Sequence, residues 1–198
     1  MDFITHLNQQ PTGMTLTKSI LRVALATGLL LLMPLAAKLF TTEMAWTLDD
    51  FINAGLLLFG TGVTYVLVAR MGNNTPYRLG AGLAIAAGLL LVWGNLAVGF
   101  IGNEDNPANL LYSGVLAVAF IGAIASRLRP GGMATAMFAA ALTQFLVPLV
   151  AALIWKPEVN LGMVQVLVLN AVFALLWVGS GLLFRRASAT GLGASTSR

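Results

Sequence analysis

Residues 79–132 read LGAGLAIAAGLLLVWGNLAVGFIGNEDNPANLLYSGVLAVAFIGAIASRLRPGG: an apolar run, a polar interruption, a second apolar run and an arginine-bearing turn. The runs, about 79–102 and 110–126, are near the ~20 residues that cross a hydrocarbon core of roughly 30 Å as an α-helix. Both are continuously apolar, whereas strands of a membrane barrel alternate with a period of two. The interruption carries helix-start chemistry, because Asn106 can cap a helix whose first position is Pro107. The stretch therefore predicts a helical membrane hairpin.

Working outward, equivalent runs lie at about 20–40, 51–69, 133–155 and 162–184, giving six spans and an all-α transmembrane bundle. Arg127 and Arg129 can snorkel to the interface and lengthen the reach of the shortest run, 110–126. Helix punctuation fits these bounds. Thr47-Leu48-Asp49-Asp50 suits a capping box for span 2, and Thr75-Pro76 suits a cap and first position for span 3. Arg129-Pro130-Gly131-Gly132 is expected to break the chain between spans 4 and 5, and Lys156-Pro157 with Asn160 between spans 5 and 6. Residues 1–19 read as a polar arm. Lys18 and Arg22 before an apolar run also fit a signal peptide, but the arm is long for one, and the site Leu35-Ala36-Ala37 lacks the small side chain a cut requires. The tail 185–198, RRASATGLGASTSR, has a composition expected to be disordered.

Composition agrees. With 58% hydrophobic and 9% charged residues and a mean hydropathy of +0.87, too little charge is present to clothe a water-soluble globule. The net charge of +4 comes from basic residues between apolar runs, so nucleic acid is not expected as a partner and the lipid bilayer is. Sorting charges into alternate connections places Lys18, Arg22, Arg70, Arg78, Arg127, Arg129, Arg185, Arg186 and Arg198 on one side and only Lys38 and Lys156 on the other. The positive-inside rule then predicts both termini in the cytoplasm.

The spans carry packing signals. Gly80, Ala84 and Gly88 form a small-residue face on span 3, as do Gly122 and Ser126 on span 4. Such faces let helices approach closely, either inside the bundle or as a homo-oligomer seam or a surface for a membrane-protein partner. The pair of spans 2–3 resembles the pair 4–5, with Gly55 and Gly114 in matching places, as a parallel duplication would leave it.

Candidate functional groups concentrate between Trp93 and Tyr112. Asn95 lies within an apolar span close to Trp93, and Glu104, Asp105, Asn106 and Asn109 cluster at the predicted outer surface. Their oxygens suit a cation or polar ligand, or a partner, whereas capping and helix-dipole stabilisation account for most of them taken singly. Other intramembrane polar groups are Thr61, Thr64, Tyr65, Ser113, Thr143, Gln144, Asn170 and Ser180. Gln144 and Asn170 fall nearest mid-span and, with Asn95, could line a path for a neutral polar solute or act as interhelical glue. Pro148, one turn past Gln144, and Pro34 each free a carbonyl in their own span.

No Asp, Glu, His, Lys or Arg falls mid-span, so the usual carriers of proton relay and ion coupling are missing from the sequence. There is no cysteine and one histidine, His6, which excludes Cys-ligated clusters and bis-His haem within one chain. No nucleotide-binding, metalloprotease or serine-hydrolase motif is present, and neither a cofactor nor a metal is expected.

The runs 95–111, NLAVGFIGNEDNPANLL, and 129–134, RPGGMA, resemble a pattern in small bacterial inner-membrane proteins. The resemblance covers spans 3 to 5 and implies a bacterial inner-membrane setting without an activity. The sequence therefore leads to a non-enzymatic interaction or accessory subunit of a membrane complex, with a small permease or channel for a neutral polar solute as the alternative.

Overall fold

The computed structural model describes residues 16–40, 45–155 and 161–193. They form six long helices: α1 (Leu16–Phe40), α2 (Leu48–Ala69), α3 (Thr75–Ala97), α4 (Leu111–Ala125), α5 (Pro130–Trp155) and α6 (Leu161–Gly193). A 3₁₀ turn, Pro107–Leu110, precedes α4. Each of the six is long and apolar enough to cross a membrane, α4 together with its 3₁₀ turn. The chain is thus an all-α, multi-pass membrane protein. Expectations for His6, Lys156-Pro157, Asn160 and residues 194–198 lie outside the described residues.

Two compact units divide the chain, Met1–Val66 and Leu67–Arg198. In the first, α1 meets α2 where Gly55 faces Leu31 and Gly62 faces Val23; a Cβ at Gly62 would stand 2.5 Å from the valine side chain. The entry to α2 is the expected reciprocal cap. The Thr47 N–H donates to Asp50 Oδ2 at 2.7 Å, and the Asp50 N–H donates back to Thr47 Oγ1 at 3.4 Å.

In the second unit α6 packs against both α3 and α5, and α5 packs against α4. The buried stripe of α3, Tyr77, Ala81, Ala84, Ala87 and Leu91, repeats every three to four residues, as one face of a helix must. Asn170, Phe173, Trp177, Ser180, Phe184 and Ala187 form the matching stripe on α6. In lipid there is little hydrophobic drive between helices, so close backbone approach sets the packing. Ser180 Oγ donates to the Gly80 carbonyl at 2.8 Å, and a Cβ on Gly80 would lie 3.3 Å from the Phe184 ring. Gly88 faces Leu116 and Trp177. The Gly80–Ala84–Gly88 face therefore packs inside the bundle, against α6 and α4.

Helix bounds differ from the apolar runs for local reasons. Span 3 begins at Thr75, capped by Asn74 Oδ1 accepting from the Tyr77 N–H, so the cap is Asn74 rather than Thr75. It ends at Ala97, before Gly99 at φ +65°. Helix α4 alone is ~22 Å long at about 1.5 Å per residue, and the 3₁₀ turn adds ~8 Å at about 2 Å per residue. Pro130 opens α5 instead of breaking the chain, and Gly131 and Gly132 lie in its first turn.

The break between spans 4 and 5 falls on Arg127 and Leu128, at φ +52° and +57°. The Arg127 N–H donates to the Ile124 carbonyl at 2.8 Å and the Leu128 N–H to the Ala123 carbonyl at 3.0 Å, the pair of bonds that closes a helix in a Schellman motif.

The chain from 185, expected to be a disordered tail, is helical to Gly193. Asn74 Nδ2 donates at 3.0 Å to both the Ala187 carbonyl and Thr190 Oγ1, and Ala187 is buried. Small residues that resemble a linker by composition are here what lets the helix dock. The 33 residues of α6 make about 50 Å of helix, longer than a bilayer core, so its end projects beyond the hydrocarbon. The proposed duplication finds no support in its glycines: Gly55 packs on Leu31, whereas a Cβ at Gly114 would meet nothing.

Candidate functional site

The polar stretch 98–110 is folded around Asn109. Its Oδ1 accepts from the N–H groups of Phe100 at 3.0 Å and Ile101 at 2.9 Å, and its Nδ2 donates to the carbonyls of Asn103 at 2.6 Å and Ile101 at 3.3 Å. One amide thereby satisfies four backbone groups that no helix or strand partners. The loop needs Gly99, because a Cβ there would stand 2.3 Å from the Asn103 carbonyl oxygen at a φ that L side chains avoid. Phe100 returns over Gly94, with its ring edge-on to Tyr112 at 5.3 Å. Asn106 Oδ1 accepts from the Ala108 N–H at 2.9 Å, the expected cap, though of the 3₁₀ turn that leads into α4. Glu104 and Asp105 are exposed at the tip. Trp93 and Asn95 are half-buried on α3, and Asn95 Nδ2 donates to the Leu91 carbonyl of its own helix at 2.8 Å. The six residues therefore do not converge: Asn106 and Asn109 build the loop, while Asn95 turns back on its helix. Asn95 Oδ1 is buried without a hydrogen-bond partner.

The mid-span amides do converge. Gln144 Nε2 donates to Asn170 Oδ1 at 2.9 Å, and Asn170 Nδ2 donates to Tyr112 Oη at 2.8 Å and to the Val166 carbonyl at 2.8 Å. All three residues are buried, so α4, α5 and α6 are joined by one polar chain. Asn95 is not part of it. Gln144 Oε1 remains buried without a donor. Tyr112 was not legible as a member, although a tyrosine on an apolar span needs a partner for its hydroxyl, which is the available signal.

Between the loop and the nearby ends of α5 and α6 lies a cavity of about 690 Å³. Helix α5 lines it with Pro148, Ala151, Ala152 and Trp155, and α6 with Gly162, Met163, Gln165, Val166, Leu167 and Leu169. The loop contributes residues 98–102, Asn106 and Ala108. Small side chains, Ala151, Ala152, Gly162 and Gly102, leave the space. Gln165 and Trp155 have no counterpart among the sequence candidates. The cavity has the size and the mostly apolar wall of a small-molecule site. Among the described residues no group of three or more His, Cys, Asp or Glu could hold a metal.

No protein-family model matches this chain, and no curated protein or solved structure matches it.

Proposed function

We propose that this chain is a non-enzymatic accessory or interaction subunit of a membrane assembly, with both termini cytoplasmic. The bacterial inner membrane enters this reading from the sequence resemblance of residues 95–111 and 129–134. The observation that supports the reading best is that the intramembrane amides bond protein groups: Asn170 joins Gln144 to Tyr112, and Asn95 donates to its own helix. A conduit for polar solutes instead needs polar groups that line a continuous opening.

Purification from native membrane in a mild detergent should recover a stoichiometric membrane-protein partner that is lost when α1 is replaced by an unrelated apolar helix. Purified protein in liposomes should give no glycerol or urea flux above empty vesicles. Flux that disappears with Gln144→Leu would establish the permease instead.

A further inference from the structure

We infer that the arginine-bearing end of the second unit binds the phosphate head of an anionic glycerophospholipid. Packing brings three stretches of chain together at that end. Tyr77 Oη, from the first turn of α3, donates to the Leu128 carbonyl at 2.8 Å. Asn74 Nδ2 donates to the Ala187 carbonyl of α6 at 3.0 Å, and a Cβ on Gly131 of α5 would lie 3.6 Å from Ser188 Oγ. Arg78 follows Tyr77, Arg127 and Arg129 flank Leu128, and Arg185 and Arg186 precede Ala187; all of these arginines are exposed.

Their depth suits a lipid head. Helices α4 and α5 carry no charged residue, and the charges within α3 and α6 are Arg78, Arg185 and Arg186 alone. The arginines therefore stand where the apolar spans of this unit end, which is the level of lipid headgroups. Phe120, Ile121 and Ile124 are exposed on α4 one to two turns before Arg127, an apolar surface along which acyl chains can lie beneath a head held by the arginines. Membrane orientation alone asks for less. The positive-inside rule counts lysine and arginine alike, whereas each of these cations is arginine, whose planar fork meets two phosphate oxygens at once. Arg127 is moreover held at φ +52°, where glycine would be unstrained, so the chain accepts backbone strain to keep a cation there. The site goes beyond the accessory reading and needs neither α1 nor a protein partner.

The test titrates the full chain, purified in an uncharged detergent, with dioleoyl phosphatidylglycerol and counts bound lipid by native mass spectrometry. The first phosphatidylglycerol should bind at least about tenfold more tightly than dioleoyl phosphatidylcholine, which has the same chains and a zwitterionic head. Inorganic phosphate at equal concentration should not displace it. Arg78→Gln with Arg129→Gln should weaken phosphatidylglycerol binding about tenfold while the thermal melt is kept. Lys18→Gln with Arg22→Gln, which removes the same charge from α1, should change it less than about twofold. If the glutamine pair does not fold, Arg78→Lys with Arg129→Lys, which keeps the charge and removes the fork, should weaken binding about threefold. Equal binding of the two lipids, displacement by phosphate, or equal losses in the α1 and arginine variants would overturn the inference. So would a lysine pair indistinguishable from the parent.

Discussion

Gln144 and Asn170 face each other across the α5–α6 interface with Nε2 and Oδ1 2.9 Å apart, and the asparagine passes the connection to Tyr112 on α4. Single replacement of Asn170 by Leu strands the Gln144 amide, which already has one unpartnered oxygen, and the Tyr112 hydroxyl. The expected cost is about 1–2 kcal/mol, between the small average for intramembrane hydrogen bonds and the larger cost of an orphaned buried group. Gln144→Leu with Asn170→Leu removes both amides and should recover the part of that loss that comes from the stranded Gln144 amide. Unfolding in mixed micelles, followed by circular dichroism, reads both. A double variant as unstable as the sum of the singles would show that the pair is not coupled.

Arg127 closes α4 with a left-handed backbone where glycine is the usual residue. Because its side chain is exposed, Arg127→Gly removes the Cβ strain and sacrifices no packing. Stability should rise by about 1 kcal/mol. At Leu128, also left-handed, the side chain packs against the core, so Leu128→Gly should lower stability. The same unfolding titration checks both signs.

The legible part of this molecule is what hydrophobic length and local capping determine. Six spans follow from run length, and the Thr47–Asp50 box and the Asn106 cap follow from side chains acting within three residues. Neighbour-dependent features escaped. The sequence groups Asn109 with Glu104 and Asp105 as a ligand candidate, because composition cannot reveal that its amide closes on the backbone of 100–103. The docked end of α6 resembled a linker because Ala187 and Thr190 show their purpose only once Asn74 lies beside them. Gln144 and Asn170 were recognisable as polar groups needing partners, but their mutual contact needed the helix packing.

The loop offers a direct contrast between structural and exposed polar residues. Asn109→Ala leaves the Phe100 and Ile101 N–H groups and two carbonyls without their side-chain partner, at a cost of about 1–3 kcal/mol. Hydrogen exchange at residues 99–103 should accelerate together with that loss. Glu104→Gln with Asp105→Asn should move the midpoint by less than about 0.5 kcal/mol, since both side chains are exposed. Loss of folding in the double variant would assign the acids to the scaffold of the loop instead.

A close helix approach in the second unit pairs two small-residue faces, Gly122 and the C-cap Ser126 of α4 with Gly132 and Ala136 on α5. A Cβ at Gly122 would stand 2.6 Å from Ala136 Cβ, and one at Gly132 would stand 2.3 Å from Ser126 Cβ and 3.2 Å from its Cα. Backbone as well as side chain must move to admit a branched residue, so Gly122→Val and Gly132→Val should each cost at least about 1–3 kcal/mol through overpacking. Gly114, on α4 with nothing within 4 Å of its Cβ position, is the control. There Ala should raise stability by about 0.5–1 kcal/mol through helix propensity alone. Because the Asn170–Tyr112 bond bridges α6 to α4, separating α4 from α5 at Gly122 should also weaken the polar chain. Gly122→Val combined with Asn170→Leu should then cost less than the sum of the two. Strict additivity would mean that the seam and the amide chain hold α4 independently.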